Sequence, residues 1–244
     1  MGLHLCYELS LPGHAREAEA AALVRALHDF AATRGFEELS PVVRVAGREQ
    51  VRAPRVWPTP WNVASGAERA RRTLSLRAQG VDPEDDSVDW TWQPPADVAV
   101  AGVAFGVLPG RGSESTAFGL ARLTGTPERR ALGWHWHEVP KTQYASRYGE
   151  AHLLRVHGGL LDVLEEAERL GAGVVIRDEF GYWPGRDLDK LRASLEQMNR
   201  WVAGLAGALT DAVRAAGGDS RTVHAPIFAD PDFERLETDA RGGG

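Results

Sequence analysis

Cysteine is nearly missing from this chain: Cys6 is its single thiol. One cysteine cannot close an internal disulfide, and cysteine-rich zinc sites are excluded by the same count. In a strand-like run, Cys6 reads as a small buried hydrophobe in a reducing compartment. Lysine is almost as scarce, with only Lys141 and Lys190 against 26 arginines. With abundant alanine and glycine, that imbalance looks like the coding bias of a GC-rich bacterial genome. A lysine retained against such a bias draws notice for its own chemistry. No apolar run approaches the roughly 18–20 residues that span a bilayer. The first residues lack the charged segment and apolar core of a secretory signal. The expected location is the cytoplasm.

Positive charge is also in deficit. The formal net charge is −6, which argues against a nucleic-acid partner held by overall positive charge. The distribution is uneven. Residues 44–77 hold eight arginines and two glutamates, whereas residues 78–97 hold six acids and no base. Mutual neutralisation of the two segments is one reading and an anion-facing basic flap is the other. No P-loop, dinucleotide fingerprint, HExxH or GxSxG occurs.

What is present is an ordinary globular composition, 43% hydrophobic and 25% charged. Residues 3–11 alternate as a strand, and Pro12-Gly13 ends it. Residues 15–34 form a helix with Leu23, Leu27 and Phe30 on its core face, and Gly35 stops it. Val42–Val45 is a short strand. Residues 47–97, broken by prolines and dotted with tryptophans, resist assignment apart from a strand at 73–77. Residues 98–108, 116–123 and 132–139 read as an antiparallel meander joined by short turns. A second helix covers 149–170, and a strand covers 173–180. A long helix covers 187–216, with Leu188, Leu191, Leu195, Met198, Val202, Leu205, Leu209 and Val213 as its core stripe.

The expected fold is therefore α+β: a mixed or antiparallel sheet with three helices packed on one face. Residues 5–45 and 136–178 share a strand–helix–strand layout, which suggests two ferredoxin-like βαβ units. One domain is expected over 1–217, with a partly flexible C-terminal arm or tail over 218–244.

Four local features could carry chemistry. In Trp134-His135-Trp136-His137-Glu138, strand alternation puts the two histidines on one face and the tryptophans on the other. Two such imidazoles can ligate a divalent metal if a third ligand arrives; an edge strand with histidines to water needs no metal. The run Lys141, Thr142, Gln143, Tyr144 and Ser146 precedes the second helix, whose N-terminal amides suit an anion. Ser146 could equally be a cap. The first acid of that helix is Glu150, so an anion, a water cluster or a protein carboxylate should settle ahead of it, with Asp178 and Glu179 as internal candidates. His152 and His157 lie on the second helix, too far apart in angle to act as a pair, and His157 falls on the apolar stripe. Finally, Arg177, Asp178, Tyr182 and Trp183 occupy the end of a strand, a common position for polar site residues.

Three functional readings follow. The leading one is a binding domain for a small anionic molecule, with turnover as an option. Its ligand set would be Lys141, Thr142, Gln143, Tyr144, Ser146, Arg177, Asp178, Tyr182 and Trp183. The second is a metal-dependent hydrolase on His135 and His137, with His157 or Asp178 as third ligand and a metal-bound water as nucleophile. The third is a protein-interaction module docking through the Trp- and Pro-rich segment 54–95.

Overall fold

The computed structural model describes residues 3–46, 76, 80–81, 100–123, 133–219, 223–230 and 232–242. The chain divides into two compact units. One is Leu5–Arg177; the other is Asp178–Gly244 together with residues 1–4. The basic and acidic stretches, the expected strand at 73–77 and the segment 54–95 lie almost wholly outside the described residues. Leu76 alone is described within 73–77, and it is helical instead of extended. Arg44, the one described arginine of the basic stretch, stands 3.8 Å from Glu17.

The larger unit is built on a seven-stranded antiparallel sheet. Its strands are β1 (Leu5–Leu11), β2 (Glu38–Leu39), β3 (Val43–Ala46), β4 (Val100–Leu108), β5 (Thr116–Leu123), β6 (Trp134–Glu138) and β7 (Gly173–Asp178). Their order is β2-β4-β5-β6-β1-β7, and β3 follows β2 along the same edge of β4. The meander β4-β5-β6 follows from the short turns between those strands. The two strand–helix–strand runs are present, but they span the sheet differently. Between β1 and β2 lie β6, β5 and β4, whereas β6 and β7 are separated by β1 alone.

Two helices complete this unit, α1 (Glu17–Ala31) and α2 (Glu150–Arg169). The Glu19 carboxylate accepts from the Arg16 amide at the start of α1. Leu23, Val24, Leu27 and Ala31 then recur at helical spacing and are buried. His28 of α1 meets the Phe105 ring edge-on, and Phe105, Phe118 and Tyr7 stack in series. The indole of Trp134 donates to the carbonyl of Ala15, just before α1. The face carrying these aromatic groups is therefore the one that α1 covers. Beside α1, α2 comes close enough for the Phe36 ring to sit against Gly159, where a side chain would crowd it. Burying each large aromatic or aliphatic group is worth about 1.5–3 kcal/mol.

The smaller unit pairs α3 (Leu188–Ala215) with α4 (Phe233–Gly242) through a 3-10 turn at Pro226–Ala229. Asp187 caps α3 by accepting from the amides of Asp189 and Lys190. The expected leucine stripe is only partly the buried face. Leu191 and Met198 are buried, but Leu188, Leu205 and Leu209 are exposed. The interior is made instead by Ala203, Ala206, Ile227 and Leu236. Small residues face α4 because they allow two helices to approach closely, and that requirement rotates the larger leucines outward. Much of the expected C-terminal arm is thus packed structure, with Arg241 paired to Asp211 across the two helices. Among the described residues, no helix is long and apolar enough to cross a membrane.

Candidate functional site on the sheet

The pairing of β1 with β6 sorts their side chains into two unlike faces. Leu11, Leu9 and Tyr7 stand opposite Trp134, Trp136 and Glu138; Ser10 and Glu8 stand opposite His135 and His137. Alternation puts Cys6 on the second face with Glu8 and Ser10. The first face is the aromatic core described above. Tyr7 is fully buried there, donating to the Ala117 carbonyl and lying 3.0 Å from the Thr116 hydroxyl. Burial, helped by the nearby Glu138 carboxylate, pushes its phenol well above the ordinary tyrosine range.

Three polar groups of the second face are withdrawn from water, although Val175 on the same side is exposed. Cys6, Glu8 and His137 are 7%, 9% and 3% exposed. The Cys6 sulfur lies 3.2 Å from Nε2 of His137, and Glu8 is the direct cross-strand neighbour of His137. Directly opposed residues have Cβ atoms about 4.5–5.5 Å apart. On the other side of β1, the Ser10 hydroxyl donates to the Gly173 carbonyl. Stepping two residues at a time along this antiparallel pair puts Val175 level with Glu8 and Arg177 level with Cys6. A thiol, a carboxylate, imidazoles and a guanidinium thus share one side of three adjacent strands.

The residues singled out from the sequence fall in several places. His135 and His137 share one strand face, opposite the buried Trp134 and Trp136, as alternation required. His157 is on α2, buried, with Nδ1 3.0 Å from the Thr142 hydroxyl. Among the described residues, no three His, Cys, Asp or Glu side chains stand together as a metal-ligand set, so His135, His137 and His157 do not converge. Nor is Asp178 poised as their third ligand. Its two carboxylate oxygens accept from the amides of Phe180 and Trp183, shaping the turn after β7.

The run from Lys141 to Ser146 is tied into the fold. The Lys141 amide donates to the Glu114 carboxylate, the Glu114 amide donates back to the Lys141 carbonyl, and the Lys141 ammonium lies 3.9 Å from Glu114. The carboxylate that meets Lys141 is Glu114, while Asp178 accepts from the amides of Phe180 and Trp183 and Glu179 from that of His4. Ser146 donates to the Gln143 carbonyl, and Thr142 and Gln143 are buried. Tyr144 packs its backbone against Gly112, whose φ of +78° and lack of a side chain permit that contact. His152 accepts from Arg155 at Nδ1 and donates from Nε2 to the Arg111 carbonyl, fastening the same turn. Arg177 ends the larger unit, whereas Tyr182 and Trp183 belong to the smaller one, where the Arg186 guanidinium lies over both rings.

Sequence reasoning missed Cys6 and Glu8. The available signal was the alternation of Cys6, Glu8 and Ser10 along β1, but the pairing of β1 with β6 that brings them to His137 is non-local. A separate concavity of about 390 Å³ lies within the smaller unit, lined by Gly207, Thr210, Asp211, Phe228, Phe233 and Glu237 among others. Its Asp211 and Glu237 carboxylates are already paired with Arg241. Compared with family models, curated proteins and solved structures, the chain has no significant match.

Proposed function

We propose that this protein binds a small anionic molecule on the polar face of its sheet, around His137. The observation that carries this reading is the buried polar cluster of Cys6, Glu8 and His137. A polar sheet face turned to solvent needs no explanation. Polar groups withdrawn from water do, because each must recover the hydration it lost. His135 and His137 share this face, and Arg177 stands level with Cys6. Imidazole and guanidinium donors on one surface suit a carboxylate or a phosphate. The segment around Lys141 is the weaker place for such a ligand, since an anion there would have to displace Glu114.

A thermal-shift screen with carboxylated and phosphorylated small molecules at fixed salt tests the reading. A ligand present at a hundred times its Kd should stabilise the fold by about 2.7 kcal/mol. His137→Gln should weaken that ligand roughly tenfold or more, the loss expected for a charge-assisted contact, while Lys141→Ala should leave its Kd unchanged. A panel without a single stabilising member, or a ligand weakened by Lys141→Ala and indifferent to His137→Gln, overturns the proposal.

A further inference from the structure

We infer that a second copy of this chain docks on the exposed side of α3, forming a two-fold dimer by antiparallel pairing of the two helices. The inference is independent of anion binding on the sheet.

The apolar face is the first support. α4 lies along one side of α3: an added Cβ at Gly204 would meet that of Ala240, and one at Gly207 would meet the Glu237 carboxylate. Ala203 and Ala206 are on that same side, clustered with Leu236. At about 100° per residue, Trp201, Leu205, Ala208 and Ala212 fall on the opposite side, with Leu209 beside them. All five are exposed, and Trp201, Leu205 and Leu209 are 56%, 48% and 49% exposed. No charged side chain interrupts this row, whereas a helix face turned to solvent ordinarily carries charge.

The second support is that the row is complementary to itself. It is graded in size, with Trp201 and Leu205 at one end and Ala208 and Ala212 at the other. A two-fold axis midway between Leu205 and Ala208 sets Trp201 against the partner's Ala212 and Leu205 against the partner's Ala208. Symmetry repeats both contacts. Each large side chain then meets a small one, which lets ridges enter grooves along the whole contact. A parallel pair would oppose the two Trp201 rings at one end and leave a gap between alanines at the other.

The third support is charge. Arg200 and Asp211 lie on the same flank of the row with opposite signs. Antiparallel pairing sets like flanks together, so each stands beside its opposite on the partner. Parallel pairing would set both against the other flank, which carries Val202 and Val213. Both charges have hydrogen-bonding capacity to offer. The buried Nε of Arg200 has no hydrogen-bond partner among the described residues, and Oδ1 of Asp211 stands 3.8 Å from Arg214, too far for a hydrogen bond.

The size of the row sets the strength of the dimer. Five such side chains supply a few hundred Å² per copy, on the order of half of what a partner contributes to a standard interface. A Kd of roughly 10–100 µM follows, so the chain is a monomer at low micromolar concentration.

Sedimentation velocity of the full chain, from well below to well above that Kd, tests the inference. The weight-average mass should climb from 26.5 kDa toward twice that value and stop. Ala208→Glu should abolish the rise. That residue is exposed, so the fold is untouched, and the axis brings two new carboxylates close together on an apolar contact. Trp201→Ala should weaken association about tenfold or more, and Arg200→Gln about two- to fivefold. Glu234→Lys, an exposed change on α4, should leave the Kd unchanged. Circular-dichroism melts in the monomeric range check that each variant is folded.

A single mass of 26.5 kDa at every concentration overturns the inference and leaves the row to the chain itself or to another protein. A mass that rises past the dimer also overturns it, because an open series requires a heterologous contact. An Ala208→Glu protein that associates like wild type places the interface elsewhere. An Arg200→Gln dimer of unchanged strength overturns the antiparallel pairing.

Discussion

The two units of this chain fill their interiors by opposite means. In the larger unit the most deeply buried side chains are big: Trp134, Trp136, Tyr7, Phe105 and Phe118 are essentially without exposure. In the smaller unit, α3 meets α4 through Ala203 and Ala206, with Ile227 and Leu236 closing the cluster. Large rings interlock across a sheet and bury much area per residue, so their loss leaves large cavities. Small residues bury little area each and stabilise by letting two backbones approach, so they tolerate deletion better than enlargement. The first interior is vulnerable to emptying and the second to overfilling.

That contrast can be broken most directly at Trp136. Its ring is fully buried and its indole donates to the Ala117 carbonyl. Trp136→Ala should cost about 3–5 kcal/mol, read as a fall in the denaturant midpoint at constant slope. A loss below about 1 kcal/mol, the level of ordinary surface changes, would mean the aromatic face is not the core. Along α3 the comparison sharpens. Leu191 is fully buried and Leu209 is 49% exposed. Leu191→Asp should cost about 3 kcal/mol or more by burying a charge, whereas Leu209→Asp should stay within about 0.5 kcal/mol. Equal losses at both would restore the leucine stripe as the packed face. Overfilling is tested at Gly204, where an added Cβ would stand 2.8 Å from that of Ala240. Alanine would gain about 1 kcal/mol in helix propensity against roughly 1–3 kcal/mol of overpacking. Gly204→Ala should therefore destabilise by about 1 kcal/mol, and a stabilised variant would show that α4 is free to move away.

The same contrast explains how far the sequence could be read. Every strand of the meander and both helices of the larger unit follow from local pattern. Trp134 and Trp136 alternate with His135 and His137, and Leu23 and Leu27 recur at helical spacing. These signals carry the large apolar residues that do the packing. In the C-terminal half of α3 the residues buried are Ala203 and Ala206 and not Leu205 or Leu209, so a stripe drawn through leucines points that half of the helix outward. The candidate site was half legible. Alternation put His135 and His137 together, but their partners Cys6 and Glu8 arrive from a strand more than 120 residues earlier. The polar run after β6 misled for a related reason. Lys141 is read as a free cation until a carboxylate 27 residues earlier, Glu114, is folded against it.

The smallest effect concerns the contact of His4 with Glu179 in the smaller unit. The Glu179 carboxylate accepts from both the backbone amide and the ring Nδ1 of His4, at 2.7 and 2.9 Å. Partial burial, and more weakly the neighbouring Asp178, push this carboxyl upward. The two hydrogen bonds and the attraction to His4 outweigh them and hold it below the usual carboxylate range. A depressed value in the folded state means that the unfolded chain binds the proton more readily. Folding therefore gains stability from this group above the unfolded value, about 4.3 for glutamate. That gain is lost as the pH falls through the lower folded value. The side chain is 50% exposed, so solvent screening limits the effect to a few tenths of a kcal/mol. Glu179→Gln should lower stability by that amount at neutral pH, and the difference from wild type should shrink in acid, as the pH falls from the unfolded value through the lower folded one. Urea unfolding of the two proteins at neutral and acid pH is the measurement. A difference that persists undiminished in acid would assign the contribution to the neutral hydrogen bonds and not to the charge.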